Sequence, residues 1–156
     1  MRVLFVCSGN ICRSAMAAGY FRQLTSDKGL SHVLVDSAGT LGIEGSPAAR
    51  EAVEVMRDVG IDLSAHRSRG VRAEDLRTAD IVVAMTRDHL EFLAARHPEG
   101  HGDRVLLRYY EESPDADSDA PDLEDPIGRS LEFYRDQLPV LVRCLDHLAL
   151  HIKHLG

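Results

Sequence analysis

Near the start of the chain, Cys7-Ser8-Gly9-Asn10-Ile11-Cys12-Arg13-Ser14 puts a thiol and a guanidinium six positions apart. That spacing encloses one tight turn. When such a turn joins a strand to a helix, its backbone N–H groups point inward. With the positive end of the helix dipole they form a nest for an anion the size of phosphate. Cys7, at the mouth, would be held as a thiolate by those N–H groups and by Arg13, and would act as a nucleophile near neutral pH. Arg13 offers a planar fork for two equatorial oxygens of a phosphoryl group in flight, which the point charge of a lysine holds less well. Gly9 and Asn10 suit the positive φ values of such a turn. The Ser14 hydroxyl is placed to donate to the cysteine sulfur as it leaves. The anion-binding loop is thus read as Ser8, Gly9, Asn10, Ile11, Cys12 and Ser14 around the pair Cys7 and Arg13.

Displacement at phosphorus also needs a proton for the leaving oxygen, from a carboxylic acid or histidine that a loop brings to the nest. Asp125, followed by Pro126, is the expected donor. Proline fixes the backbone beside it, and the neighbouring acids Asp122 and Glu124 disfavour a further negative charge there. The segment Glu111 to Asp125 holds eight acids, no base, and prolines at 114 and 121, which predicts a surface loop rather than a regular element. Its charge predicts a preference for peptides with basic flanks.

The elements that must position these groups are legible as alternating patterns. Arg2 to Val6, His32 to Val35, Ala79 to Ala84 and Arg104 to Leu107 are short runs rich in valine, isoleucine and leucine, as buried parallel strands are. Helical spacing marks Ser14 to Leu24, Pro47 to Val59, Arg87 to Arg96 and Ser130 to Leu155, the second opening at Ser46-Pro47. The last carries a core face of Leu138, Leu141, Leu145, Leu148, Ile152 and Leu155. Strand alternating with helix predicts an α/β fold, a doubly wound parallel sheet with helices on both faces and ligands beyond the carboxyl ends of the strands.

With 156 residues, 44% hydrophobic and 28% charged, the chain is expected to be one domain spanning 1–156. Eighteen Lys and Arg against 25 Asp and Glu give −7, with no basic cluster, which excludes nucleic acid as an expected partner. No apolar stretch approaches the ~20 residues of a membrane span, and Met1-Arg2 runs into the first strand without a cleavage pattern. Three cysteines, an odd count, point to a reducing compartment, so the expected location is cytoplasmic.

Taken together, Val6-Cys7-x-Gly9-Asn10-x-Cys12-Arg13-Ser14, Asp36-Ser37-Ala38-Gly39-Thr40, His66-x-Ser68-Arg69 and Asp125-Pro126 resemble the bacterial branch of the low-molecular-weight protein tyrosine phosphatase family. The resemblance covers essentially the whole chain. It implies a flavodoxin-like four-stranded sheet, a phosphocysteine intermediate on Cys7, transition-state binding by Arg13 and protonation by Asp125. It implies a supporting hydrogen-bond network among Asn10, Ser14, Ser37 and His66. The implied substrate is a phosphorylated protein or peptide, the product inorganic phosphate, and no metal or cofactor takes part. In this family the second loop cysteine, here Cys12, forms a reversible disulfide with the nucleophile.

The departures bear on substrate. Tyrosine-directed members usually wall the pocket with aromatics, whereas this sequence offers Ile43, or a near neighbour, and Ile127, which forgo a stacking contribution of roughly 0.5–1.5 kcal/mol. The spacing after Ser37 also resembles protein arginine phosphatases, but those carry threonine where Ile11 stands, and Ile11 favours an aryl phosphate. Thr86 occupies a place where many tyrosine-directed members have aspartate. Thiol-dependent arsenate reductase is a rival that would need a downstream cysteine, and Cys144 alone is available. A module that only holds phosphorylated partners is a second rival. Two metal-like patterns fail: Asp115-x-Asp117-x-Asp119 lacks the glycine and glutamate of a calcium loop, having Ala120 and Pro126 there. Cys144, His147, His151 and His154 form a stripe on one helix that cannot close a tetrahedral site alone, and the histidines suit its closing turns.

Overall fold

Side chains of a strand alternate between two faces, and both faces of Arg2–Cys7 (β1) are apolar. The structure, a computed structural model, describes residues 1–114 and 121–156. Val3, Phe5 and Cys7 enter one core, while Leu4 and Val6 enter a second on the opposite side. β1 therefore lies inside a sheet covered on both faces. Its neighbours are Leu34–Gly39 (β2), Ile81–Ala84 (β3) and Asp103–Leu106 (β4), all parallel, in the order β2-β1-β3-β4. This is the flavodoxin-like arrangement. The order reverses at β1, which opens a crevice beyond its carboxyl end.

On the first face pack Arg13–Asp27 (α1), Arg50–Arg57 (α2) and Leu131–Leu155 (α5), through Met16, Phe21, Val55, Met56, Leu141 and Leu145. On the second lie Ala73–Thr78 (α3) and Arg87–Arg96 (α4), through Leu76 and Leu93. Ser130 caps α5 by accepting Phe133 N–H at 3.2 Å, where the sequence placed its start. No helix among the described residues is long and apolar enough to cross a membrane.

Four sequence expectations are corrected. β2 runs to Gly39 rather than ending at Val35, because pairing with β1 from Arg2↔Leu34 to Cys7↔Gly39 extends an edge strand through the polar Asp36 and Ser37. α2 begins at Arg50, not Pro47, because Ala49 is extended (ψ 142°) and its N–H is drawn to Ile11 O at 2.9 Å. α3 was not foreseen. Leu155 is 59% exposed at the last turn of α5, although the rest of the expected leucine face is buried.

Three of the four members of the cysteine and histidine stripe on α5 are used in packing, and His154 is exposed. Cys144 is fully buried, His147 Nδ1 donates to Tyr110 O at 2.6 Å, and the His151 ring lies 5.5 Å from that of Tyr110. The calcium-like Asp115, Asp117 and Asp119 lie outside the described residues.

Candidate active site

β1 delivers Cys7 to the crevice, and the chain turns through residues 8–12 before α1 begins at Arg13. One residue of that turn, Asn10, takes a left-handed backbone, φ 58°. Its side chain compensates: Nδ2 donates to Ser14 Oγ at 2.8 Å, and Oδ1 accepts Arg69 N–H at 3.0 Å. Gly9 was expected to share the positive φ and does not. The glycine this turn requires is Gly39 on β2, where a Cβ would lie 2.6 Å from Ser8 O and 3.1 Å from Asn10 N.

Cys7 Sγ accepts Asn10 N–H at 3.3 Å and lies 2.9 Å from Ser14 Oγ. Because Ser14 Oγ already accepts from Asn10, its own proton is free for the sulfur. Two donors converge on the thiol. His66 Nε2 donates to Asn10 O at 2.6 Å, and burial pushes its pKa down, keeping the ring neutral. Cys12 is buried with Sγ 3.2 Å from Tyr134 Oη, and its pKa is pushed up to about 11, chiefly by burial. Ser37 sits on β2 opposite Phe5, and among the described residues its hydroxyl makes no hydrogen bond to the loop. The Arg69 backbone N–H supplies the support instead.

Arg13 is 3% exposed. Its Nη1 donates to Leu123 O at 2.9 Å, and its Nη2 lies 3.4 Å from Asp125 Oδ2 and 3.5 Å from Ser8 Oγ. Nε, also buried, has no hydrogen-bond partner among the described residues. An unsatisfied buried donor costs about 1–3 kcal/mol, more when charged, which marks a place where a ligand acceptor belongs. Leu123 sets this geometry by donating its own N–H to Met85 O at 2.8 Å, which ties the Asp-Pro segment to the end of β3. Asp125, 43% exposed, accepts Ile127 N–H at 3.1 Å through its other oxygen.

The acids expected to crowd Asp125 are engaged elsewhere. Asp122 accepts Arg87 N–H at 2.8 Å, and Glu124 pairs with Arg129 at 3.1 Å. Among the described residues, the ion-pair partner of Asp125 is Arg13.

A cavity of about 140 Å³ lies over the loop, with Cys7, Arg13 and Asp125 among its walls together with Ile11, Leu41, Ile43 and Ile127. A larger groove, about 650 Å³, runs beside Arg22 and His66 and is lined by none of Cys7, Arg13 and Asp125. The small cavity is the candidate site.

A cysteine at the end of the first strand, a buried arginine and a late aspartate converge on one cavity, and the comparison with known proteins extends over nearly the whole chain. Residues 2–155 match the model of the low molecular weight phosphotyrosine protein phosphatases. The chain belongs to that family. A Geobacillus stearothermophilus protein named as a protein-arginine-phosphatase is 38% identical, with 95% of this chain and 93% of that one covered. A Ralstonia solanacearum protein named as a probable low molecular weight protein-tyrosine-phosphatase is 34% identical, covering 99% and 97%. The crystal structure of a low molecular weight protein tyrosine phosphatase from T. tengcongensis superposes with a TM-score of 0.84 at 40% identity, covering 95% and 97%.

In this phosphatase the cavity is ringed by an apolar collar. The cavity walls are aliphatic: Ile43 and Ile127 stand where the sequence placed them, joined by Leu41, a near neighbour of Ile43 that is 67% exposed at the rim. Sequence reasoning missed Leu123 and His89. Thr86 caps α4: its Oγ1 accepts His89 N–H at 3.3 Å, while its N–H donates to His89 Nδ1 at 3.2 Å. The far nitrogen of the same ring, Nε2, lies 2.8 Å from Ser8 Oγ in the loop.

Proposed function

We propose that this phosphatase hydrolyses phosphorylated proteins or peptides, phosphotyrosine foremost, through a phosphocysteine on Cys7. The observation that carries the reading is Arg13 Nε, a buried cationic donor without a partner among the described residues, beside a thiol on which two donors converge. A phosphate dianion supplies the missing acceptor. Cys7 sulfur attacks phosphorus while Arg13 and the Ser8 to Ser14 amides take the equatorial oxygens. Asp125 protonates the leaving oxygen, and then, as a base, directs water onto the phosphocysteine to release inorganic phosphate. Ser14 donates to the departing sulfur. Asn10, His66 and the Arg69 backbone N–H act as support for the loop, and Ile11, Ile43 and Ile127 as walls for an aryl group. The scheme needs no metal or cofactor and no nucleic acid or membrane partner. We assign residues 1–156 to one catalytic unit working in the cytoplasm. Cys12, held as a thiol by burial, is the group that captures an oxidised Cys7 as a reversible disulfide.

A second reading, phosphoarginine as substrate, is favoured by the identity with the Geobacillus protein named for that activity. An arsenate-reductase relay is disfavoured, because Cys144 is fully buried in α5 and its thiol is pushed up to about 12 by that burial. The test is kcat/KM on a phosphotyrosine and a phosphoarginine peptide of one sequence, with Cys7→Ser as the blank. The expected result is preference for phosphotyrosine and an inert Cys7→Ser. Preference for phosphoarginine would transfer the assignment to the second reading.

A further inference from the structure

A helix-capping box ordinarily places glutamate or glutamine at its third helical position, so that a side-chain acceptor reaches back to the capping residue's N–H. In α4 that position is His89. An imidazole accepts through one nitrogen and still presents a second one some distance away. Nδ1 accepts Thr86 N–H at 3.2 Å, so the neutral ring carries its proton on Nε2. Nε2–H then donates to Ser8 Oγ at 2.8 Å. Glutamate in the same place would bring a carboxylate toward a loop that receives an anion.

Ser8 Oγ meets a second donor, Arg13 Nη2, at the long limit of 3.5 Å. Neither neighbour can accept: a guanidinium has no acceptor, and His89 Nε2 is already protonated. Both lone pairs of the hydroxyl face donors, and its hydrogen must point elsewhere. Ser8 shares the small cavity with Cys7 and Arg13. His89 is 4% exposed, and its pKa is pushed down to about 4, by burial first and by Arg13 next, so the ring stays neutral near pH 7. Asp125, Asp88 and Asp122 oppose that shift without reversing it.

The geometry points to His89 as a positioning residue that fixes the Ser8 hydroxyl as a donor to the phosphoryl group held by the loop. The inference rests on the phosphatase reading and adds a donor to it. The backbone amides and Arg13 hold the anion from the loop and from α1. Ser8, locked from α4, contributes a side-chain donor whose direction is set from across the sheet.

The experiment is a double-mutant cycle on p-nitrophenyl phosphate and a phosphotyrosine peptide at pH 7. It uses wild type, Ser8→Ala, His89→Ala, the double variant and His89→Gln, with thermal melting of each in parallel. Ser8→Ala and His89→Ala should each lower kcat/KM on the order of tenfold, the size of one hydrogen bond to a charged group. The double variant should be no worse than Ser8→Ala, because His89 acts through that hydroxyl. His89→Gln, which carries an acceptor and a donor on one planar amide, should recover most of the activity. Losses that multiply in the double variant would overturn the inference, as would an unchanged kcat/KM in Ser8→Ala. A lowered melting temperature in His89→Ala without loss of kcat/KM would reduce His89 to its capping role and overturn it equally. Wild type is assayed first: no turnover there would strike the phosphatase reading itself, whereas an active wild type with multiplying losses strikes only the role of His89.

Discussion

Arg13 and Asp125 meet across the mouth of the loop, with Nη2 3.4 Å from Oδ2, one partner buried and the other half-exposed. The guanidinium that should grip the phosphoryl group is thus shared with the acid that should protonate its leaving group. Replacing Asp125 with Asn separates the two functions. Turnover of a phosphate ester with a poor leaving group should fall about 100-fold or more, and that of p-nitrophenyl phosphate less. Inhibition by inorganic phosphate should strengthen severalfold, because a negative charge beside the cation is gone. Undiminished turnover of the poor leaving group would remove Asp125 from the scheme.

The aliphatic collar gives a gain-of-function test. Ile127 is 52% exposed and Ile43 38%, so a ring at either place has room to lie over the cavity. Ile43→Phe or Ile127→Phe should raise kcat/KM for a phosphotyrosine peptide by about two- to tenfold, the value of an added aromatic contact. A rise for phosphoarginine instead, or none for either substrate, would count against an aryl-binding collar.

Asn10 combines a strained backbone with two side-chain hydrogen bonds, and the two contributions separate by substitution. Asn10→Ala keeps the strain and loses both bonds, so chemical denaturation should show a loss of about 2–3 kcal/mol and little turnover should remain. Asn10→Gly relieves the backbone but not the bonds, and should recover about 1 kcal/mol of stability. Equal stability of the two variants would mean that φ at this position carries no cost.

Protonation should act on stability through His89. Its pKa is about 4 in the fold against 6.5 for an ordinary imidazole, so the unfolded chain binds the proton first as pH falls. The stabilisation is fully present above about pH 6.5 and is lost progressively toward pH 4, on the order of 3 kcal/mol in all. His66, whose pKa is also lowered by burial, adds to the loss with the same sign. Urea denaturation between pH 7 and 4 should show a shallower fall for His89→Gln than for wild type. Equal slopes would exclude His89 as a source.

Much of the site was legible because it is contiguous. Cys7 through Ser14 fall on one turn between a strand and a helix, so spacing alone brought the thiol, the amides and Arg13 together. β2 was cut short because Asp36 and Ser37 end the apolar run, and only its pairing with β1 extends it. α2 was started too early because Ser46-Pro47 imitates a helix opening, while the pull of Ile11 O on Ala49 N–H is a contact distant in sequence. Leu123 left a readable trace as the one large apolar residue among the acids from Glu111 to Asp125. His89 left a fainter one, the spacing Thr86-x-x-His89 of a capping box, and nothing in the sequence indicated that the ring's far nitrogen reaches Ser8.

The central claim is that phosphorus passes through the sulfur of Cys7. Rapid mixing with p-nitrophenyl phosphate, acid quench within the first turnover, and mass spectrometry of the peptide containing Cys7 test it most directly. The account expects one phosphoryl group on Cys7, formed in step with a burst of p-nitrophenol and more abundant in Asp125→Asn, where water is no longer activated. Steady turnover with no phosphoryl group on that peptide, or with the group on another residue, would contradict it.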